Sequence, residues 1–245
     1  MFESQRTELL ENLDAAHGAY YEAAVFGGPS LHFHLRALAA AEARDLASFS
    51  EAAYAMLASW GMHRMGRGGS KMREFEEFAT SLSVVWPIVL KLRGKLPHDL
   101  AKHDWDDLAA LFFEINAMAT GTSLVGNSKV IAHALPKLVA PVDREYTLTL
   151  LFGNGQIRNE KEAEWNKLRQ ILVHFFYPVS ASPAFARKAE TWMKQSARFE
   201  WDTSPLKVVD NLIIGLQKRR TVEPGAVQRP GPKRPAAERQ RVCQA

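Results

Sequence analysis

Apolar residues recur at helical spacing along nearly the whole chain, and this periodicity constrains the fold more than any other feature of the sequence. Near the N-terminus, for example, Leu9, Leu13, Ala16 and Tyr20 fall on one stripe of a helix. No stretch of more than a few residues alternates apolar and polar side chains as a half-buried strand would. The sequence therefore predicts an all-α fold, a compact multi-helix domain.

Glycine and proline residues divide this pattern into separate helices. A first helix is predicted over residues 5–25, ended by Gly27 and Gly28, and Pro29 opens the next. Ser70 is predicted to cap a later helix. The remaining predicted helices cover residues 45–60, 105–119, 128–135, 161–177, 183–196 and 205–217, with a further helix after Asp143.

The basic charge is concentrated at the C-terminal end. From Lys218 onward, eight Lys and Arg residues accompany two Glu residues, so this segment carries a net charge of +6, whereas the whole chain carries +4. Residues 1–217 therefore carry −2, and a strongly basic body is absent. We predict one helical domain over residues 1–220, with two helical lobes as the alternative, and a basic disordered tail over 221–245, which is rich in Pro, Arg and Gln.

Several classes of protein are excluded or disfavoured by the composition. No apolar run approaches the roughly 20 residues of a membrane helix, so no membrane association and a cytoplasmic location are expected. The single cysteine, Cys243, lies in the polar tail and forms no intramolecular disulfide or Cys-based metal cluster. No nucleotide-binding or metalloprotease motif is present, so neither a cofactor nor a metal is expected.

The most informative segment is residues 110–151. It has the order of a helix, a glycine-containing hairpin between Gly121 and Gly126, a short helix, a proline-bounded loop and an aspartate that begins another helix. That order resembles the helix-hairpin-helix DNA glycosylase superfamily, in particular the branch of the 8-oxoguanine glycosylases. The resemblance places Lys129 at the family's lysine and Asp143, in Pro-Val-Asp-Arg, at its aspartate.

The chemistry of these residues is compatible with what the resemblance implies. Backbone N–H groups of Gly126, Asn127 and Ser128, in a glycine turn before a helix, would form a site for a DNA phosphate. A carboxylate at Asp143 would stabilise the positive charge that develops on a sugar during N-glycosidic cleavage. A Lys129 amine with a lowered pKa would attack the sugar carbon and form a Schiff base.

The same residues also have ordinary structural interpretations. Glycine turns followed by Asn and Ser are common between helices, and an aspartate after Pro-Val is a common helix N-cap. A lysine on a short helix is usually solvated. These alternatives remain open at the level of the sequence.

A second candidate segment is the glycine-rich loop after the third predicted helix. Trp60, His63, Arg64 and Arg67 interleave aromatic and cationic side chains there. Such a loop holds a phosphate while an aromatic ring stacks on a base. A solvated loop with Trp60 in the core is the alternative.

Two hypotheses follow. The first is a DNA-binding glycosylase-like hydrolase of DNA repair, which removes a flipped base with Asp143 as the catalytic carboxylate and Lys129 as the nucleophile; DNA is then the expected partner. The second is a non-catalytic helical module that binds nucleic acid or protein on the same scaffold. Convergence of Lys129 and Asp143 on one cleft near Trp60 would favour the enzyme.

Overall fold

The computed structural model describes residues 1–23, 27–63, 65–66 and 69–222. Within these residues the predicted all-α class is confirmed, and extended structure amounts to a short pairing of β1 (Met65–Gly66) with β2 (Gly69–Ser70) and an isolated bridge between Met72 and Met118. The α-helices are α1 (Glu3–Glu11), α2 (Leu13–Ala23), α3 (Pro29–Ala43), α4 (Leu46–Ser59), α5 (Phe75–Leu92), α6 (Lys102–Glu114), α7 (Ser123–Ala134), α8 (Thr149–Phe152), α9 (Lys161–Ile171), α10 (Tyr177–Ser180), α11 (Pro183–Lys194) and α12 (Pro205–Val222).

The last helix crosses the second helix at Gly215. A Cβ atom added to Gly215 would lie 1.9 Å from the carbonyl oxygen of Ala16 and 2.9 Å from the backbone nitrogen of Tyr20. The absence of a side chain therefore lets the backbones of α2 and α12 touch. This crossing joins α2, near the N-terminus, to α12, the last described helix, and sets Tyr20 beside the residues of α12.

Helices α3 and α4 form a hairpin with a sharp turn. Arg44 adopts a left-handed backbone conformation with φ of 60°, and Asp45 follows it as the N-cap of α4. The Oδ1 atom of Asp45 accepts a hydrogen bond from the backbone nitrogen of Ser48 at 3.1 Å. This capping fixes the start of α4 and therefore the position of Trp60 at its C-terminal end.

Two π-helical segments interrupt the α-helical geometry. Residues Arg144–Leu148 lead into α8, and residues Leu172–Phe176 join α9 to α10. Single π-helical turns occur frequently at functional sites, because the extra residue changes the direction of nearby side chains. The first of these segments begins directly after Asp143.

The core is one contiguous cluster of buried apolar side chains that extends from Phe2 to Leu216. A smaller cluster, composed of Tyr20, Trp201 and Ile214, lies apart from it, with the partly buried rings of Trp60 and Tyr146 against it. Burial of these aromatic groups provides rigid walls for the cleft described below.

Two predicted boundaries are wrong. The helix predicted over residues 5–25 is two helices, because the chain breaks at Asn12, whose side-chain amide donates to the carbonyl of Glu8 at 2.8 Å. Ser70 does not cap a helix: it lies in β2, its hydroxyl accepts from the backbone nitrogen of Met72, and α5 begins at Phe75.

The C-terminal boundary also differs from the prediction. Helix α12 extends to Val222, so Thr221 is helical rather than part of the tail. Its N-terminal half is almost entirely buried, and packing of that half against α2 anchors the helix. The rest of the predicted basic tail, residues 223–245, lies outside the described residues.

Candidate functional site

A cleft of about 630 Å³ lies where α2, α4, α7, α12 and the segment after Pro141 meet. Its volume falls in the range of small-molecule sites, roughly 300–1,000 Å³. Its walls combine aromatic rings with two lysines and two aspartates. The residues that matter for the chemistry are Tyr20, Trp60, Lys129, Asp143, Lys207 and Asp210.

Lys129 projects from α7 into this cleft, where its Nζ lies 4.7 Å from the centre of the Trp60 ring. The ring face stabilises the ammonium form through a cation–π interaction. Burial acts in the opposite direction and lowers the pKa of the Lys129 amine, although the carboxylates of Asp143 and Asp210 oppose that shift. A larger fraction of this amine is therefore neutral than for a solvated lysine.

Asp143 is the N-cap of the π-helical segment. Its Oδ1 atom accepts hydrogen bonds from the backbone nitrogens of Tyr146 at 2.6 Å and Thr147 at 3.3 Å. None of the residues that the structure describes donates a hydrogen bond to Oδ2, and Asp143 lines the cleft. One oxygen therefore holds the local structure while the other remains for a ligand, so capping and chemistry are compatible at this residue.

Burial raises the pKa of the Asp143 carboxyl, and the nearby Asp210 carboxylate raises it further, while Lys129 and the two backbone donors oppose the shift. The pKa of the Lys129 amine moves in the opposite direction. The two shifts bring the pKa values of amine and carboxyl closer together. Transfer of a proton from Lys129 to Asp143 therefore costs less free energy here than between the same groups in water.

A second lysine and aspartate come from α12. Lys207 and Asp210 are 7% and 5% exposed, and the Nζ of Lys207 donates to Asp210 Oδ2 and to Asn211 Oδ1, both at 2.6 Å. Asn211 in turn donates to Asp202 Oδ1 at 2.8 Å. This buried network fixes the two charged groups at the floor of the cleft.

Our sequence reasoning missed these α12 residues. The sequence nevertheless contains a pattern that indicates them, because Lys207, Asp210 and Asn211 occupy positions i, i+3 and i+4 in a helix that is otherwise apolar through Leu216. Residues at that spacing share one helix face. A polar face on a buried helix needs partners or a ligand, so this pattern indicates a site, although it does not indicate where the site lies.

Two buried histidines, His34 and His133, form a hydrogen-bonded chain that ends at the backbone carbonyl of Lys129. His133 Nδ1 lies 2.7 Å from the carbonyl oxygen of Lys129, His34 Nδ1 lies 2.7 Å from His133 Nε2, and Thr203 Oγ1 lies 3.1 Å from His34 Nε2. Because the carbonyl only accepts, each Nδ1 donates and each Nε2 accepts. Burial lowers the pKa of His133 to about 4 and lowers that of His34 well below 6.5, so both rings are neutral at neutral pH.

The predicted phosphate-binding turn is wrong. Helix α7 starts at Ser123, after the Thr122 N-cap, so Gly126, Asn127 and Ser128 lie inside the helix and are buried rather than in a hairpin. Their groups are already used: the Asn127 amide donates to the carbonyls of Phe112 and Ile115, and Ser128 Oγ accepts from the backbone nitrogen of Val142 at 3.1 Å.

Gly126 has a packing role that differs from the predicted one. A Cβ atom added there would lie 2.8 Å from Cγ of Met118, so the glycine admits that side chain against α7. Of the two glycines of the predicted hairpin, Gly121 and Gly126, the one with a positive φ is Gly121, at 85°. A bulky substitution at Gly126 would therefore report on packing and not on a phosphate contact.

The N-terminus of α7 is also occupied by a carboxylate of the chain itself. Glu164, which is 3% exposed, accepts a hydrogen bond from the backbone nitrogen of Leu124 at 2.6 Å. Anions bind helix N-termini through such free backbone donors. Because Glu164 already satisfies one of them, this helix end does not provide the phosphate site that the sequence suggested.

The glycine-rich loop divides in the structure. Trp60 lines the cleft, whereas His63 is exposed and hydrogen-bonds the carbonyl of Ala58 through Nδ1 at 2.7 Å. Arg64 and Arg67, the other two predicted DNA contacts of this segment, lie outside the described residues. The structure therefore unites Trp60 with Lys129 and Asp143 but not with His63.

The described residues show neither a metal-binding cluster nor a membrane-spanning helix. No group of three or more His, Cys, Asp or Glu side chains in this part of the chain is arranged to hold a metal ion. None of its helices combines the length and apolarity that a bilayer crossing requires.

Comparisons with known proteins return no relative. No family model matches this chain, and neither a curated protein nor a solved structure matches it.

Proposed function

We propose that this protein is a DNA glycosylase-like enzyme that removes a flipped base by cleaving its N-glycosidic bond. The observation that carries the proposal is the presence of the Lys129 amine and the Asp143 carboxylate in one cleft, with Trp60 against the amine. Chemistry on a base requires that the base leave the stack and enter a pocket. The aromatic walls and the volume of this cleft are compatible with such a base.

Asp143 acts first on the charge of the transition state. Breaking the bond between C1′ and the base leaves positive charge on the sugar, and a fixed carboxylate stabilises that charge in a low-dielectric cleft. The unengaged Oδ2 atom of Asp143 is the oxygen available for this contact. The departing base takes the bonding electron pair, and it receives through Asp143 the proton that Lys129 releases in the attack described next.

Lys129 provides the nucleophile. Its neutral Nζ donates an electron pair to C1′ as the bond to the base breaks, and Asp143 accepts the proton that the new ammonium releases. Opening of the sugar ring, whose oxygen takes the second Nζ proton, then gives an imine between Nζ and C1′, which water hydrolyses to an abasic site. The lowered pKa of the Lys129 amine supports this role, since only the neutral amine attacks.

The alternative, a non-catalytic binding module, does not require this arrangement. A module that only binds nucleic acid or protein has no need of a partly buried lysine beside a partly buried aspartate, and burying such groups costs stability. Opposite pKa shifts of a neighbouring amine and carboxyl in a cleft are typical of catalytic sites. The enzyme is therefore the function that the cleft supports best.

The test is a screen for base release. Purified protein is incubated with duplex and single-stranded oligonucleotides, each carrying one damaged or non-canonical base, and alkali then cleaves the strand at any abasic site. We expect strand cleavage at one class of base and none in the undamaged oligonucleotide. Absence of abasic sites across the whole panel, with a protein whose circular dichroism shows a folded helical state, would contradict the proposal.

A further inference from the structure

The cleft contains a buried hydroxyl that the proposed chemistry does not use. Tyr20 is 2% exposed and lines the cleft. No hydrogen bond from a described residue reaches its hydroxyl, and the hydroxyl oxygen is not fully enclosed by protein atoms. It therefore opens to the cleft. A buried polar group without a partner costs stability, and it is commonly explained by a ligand that supplies the missing bond.

Asp210 lines the same cleft and is close enough to Tyr20 to act on it: burial raises the pKa of the Tyr20 phenol, and the Asp210 carboxylate raises it further. The Nζ atom of Lys207 is 2.6 Å from Asp210 Oδ2 and 5.9 Å from the centre of the Tyr20 ring, so one ammonium group adjoins both residues. Asp210 Oδ1 receives no hydrogen bond from the part of the chain that the structure describes, and Asp210 lines the cleft. An ionised carboxylate only accepts, whereas a phenol donates or accepts.

We infer that Tyr20 and Asp210 form a recognition subsite for the hydrogen-bonding edge of a nucleobase, with the carboxylate accepting from a ring or exocyclic N–H and the phenol bonding the adjacent carbonyl or ring nitrogen. The choice of a nucleobase as the ligand rests on the proposed function. Lys207 and Asn211 hold the carboxylate in place and are positioning residues. Trp201 contributes to the wall of the same subsite.

The subsite makes a demand on the ligand. A base whose edge presents an N–H next to an acceptor satisfies both Asp210 and Tyr20. Replacing that N–H by N-methyl leaves the carboxylate without its donor and places a methyl group against it, so binding weakens. Hydrogen bonds to charged groups are the stronger class, and we expect the loss to be about 10-fold or more.

The experiment uses small ligands that contain no scissile glycosidic bond. Isothermal titration calorimetry compares 9-methylhypoxanthine with 1,9-dimethylhypoxanthine, and 1-methyluracil with 1,3-dimethyluracil. In each pair the two ligands differ only in that the second carries an N-methyl group in place of the N–H. We expect the wild-type protein to bind the N–H member of at least one pair about 10-fold more tightly than its methylated partner.

Tyr20→Phe separates the two halves of the subsite. It should weaken binding of the preferred ligand by about 5-fold, while selectivity within the pair persists because Asp210 is unchanged. Tyr21→Phe is the matched control: Tyr21 is the next residue of α2, packs on His17 and Phe199 and does not line the cleft, so its binding should equal that of wild type.

Three results would overturn the inference: no binding of any of the four ligands at millimolar concentration, equal binding within both pairs, or equal affinity of the Tyr20→Phe and Tyr21→Phe proteins. Because the ligands contain neither DNA nor a sugar, these results are independent of base release. A protein that binds selectively but never excises a base would retain the subsite and lose the proposed function.

Discussion

Replacing Gly215 with alanine is expected to destabilise the protein strongly although it adds only one methyl group. The added Cβ would meet the Ala16 carbonyl oxygen at 1.9 Å, and that oxygen belongs to a backbone that cannot rotate away. Overpacking usually costs about 1–3 kcal/mol. With a backbone atom as the obstacle, we expect about 3 kcal/mol or more, which corresponds to a fall in Tm of about 6–12 °C for a chain of this length.

The matched control is Gly18→Ala on α2. A Cβ atom added to Gly18 meets nothing within 4 Å, so the substitution only improves helix propensity and should stabilise the protein by about 1 kcal/mol. Thermal unfolding of the two variants and wild type gives the comparison. A Gly215→Ala protein that melts with wild type would show that α2 and α12 do not cross in contact.

Replacing Lys129 with glutamine is expected to remove a covalent complex between protein and DNA. Borohydride reduces an imine between Nζ and the sugar to a stable amine, so wild type should become cross-linked to a substrate oligonucleotide. Without the amine, the cross-linked product should fall to background. Lys137→Gln is the control, because Lys137 is exposed, lies just past the end of α7 and does not line this cleft.

The pH dependence and stability of this lysine provide an internal check. The fraction of neutral Lys129 amine rises as the pH passes through its lowered pKa. The rate of trapping should therefore rise with pH and reach its plateau at a pH below about 10.4, which is the pKa of a solvated lysine. Because folding lowers the pKa of Lys129, the protonated amine destabilises the folded state at every pH below the pKa that this amine has in the unfolded chain. Lys129→Gln should therefore match or exceed wild type in Tm at pH 7, and a lower Tm would contradict this account.

The all-α class could be predicted because the 3.6-residue period acts locally. The buried residues of one helix recur at this spacing whatever the helix packs against, as Leu13, Ala16 and Tyr20 do in α2. The break at Asn12 could not be predicted in this way, because apolar periodicity continues across it. Helix boundaries depend on capping contacts that periodicity does not report.

Lys129 and Asp143 could be proposed together because they lie in one short segment. The predicted turn at Gly126 failed for a related reason: a glycine favours a turn on average, but here it is needed inside a helix for contact with Met118. Glu164, which occupies the N-terminus of α7, is 40 residues away in sequence from its partner Leu124. No local pattern reports such a contact.

The floor of the cleft depends on contacts between distant parts of the chain. Lys207 and Asp210 reach Tyr20 only because α12 crosses α2 at Gly215. The polar face of α12 is readable in the sequence, but its location beside Lys129 is a property of the packing. The sequence therefore allowed the side of the cleft with Lys129 and Asp143 to be proposed, whereas the side formed by α12 could not be assigned.

Under the proposed function, the Asp143 carboxylate in this cleft drives base release, and a single-turnover assay tests this role directly. Asp143→Asn preserves size and N-capping ability but removes the negative charge, so the rate of base release should fall by about 10²–10³-fold or more while the Tm remains near that of wild type. Asp45→Asn is the control, since Asp45 caps α4 in the same manner and is not part of the cleft. Its rate should equal that of wild type. A folded Asp143→Asn protein that releases the base at the wild-type rate would contradict the claim.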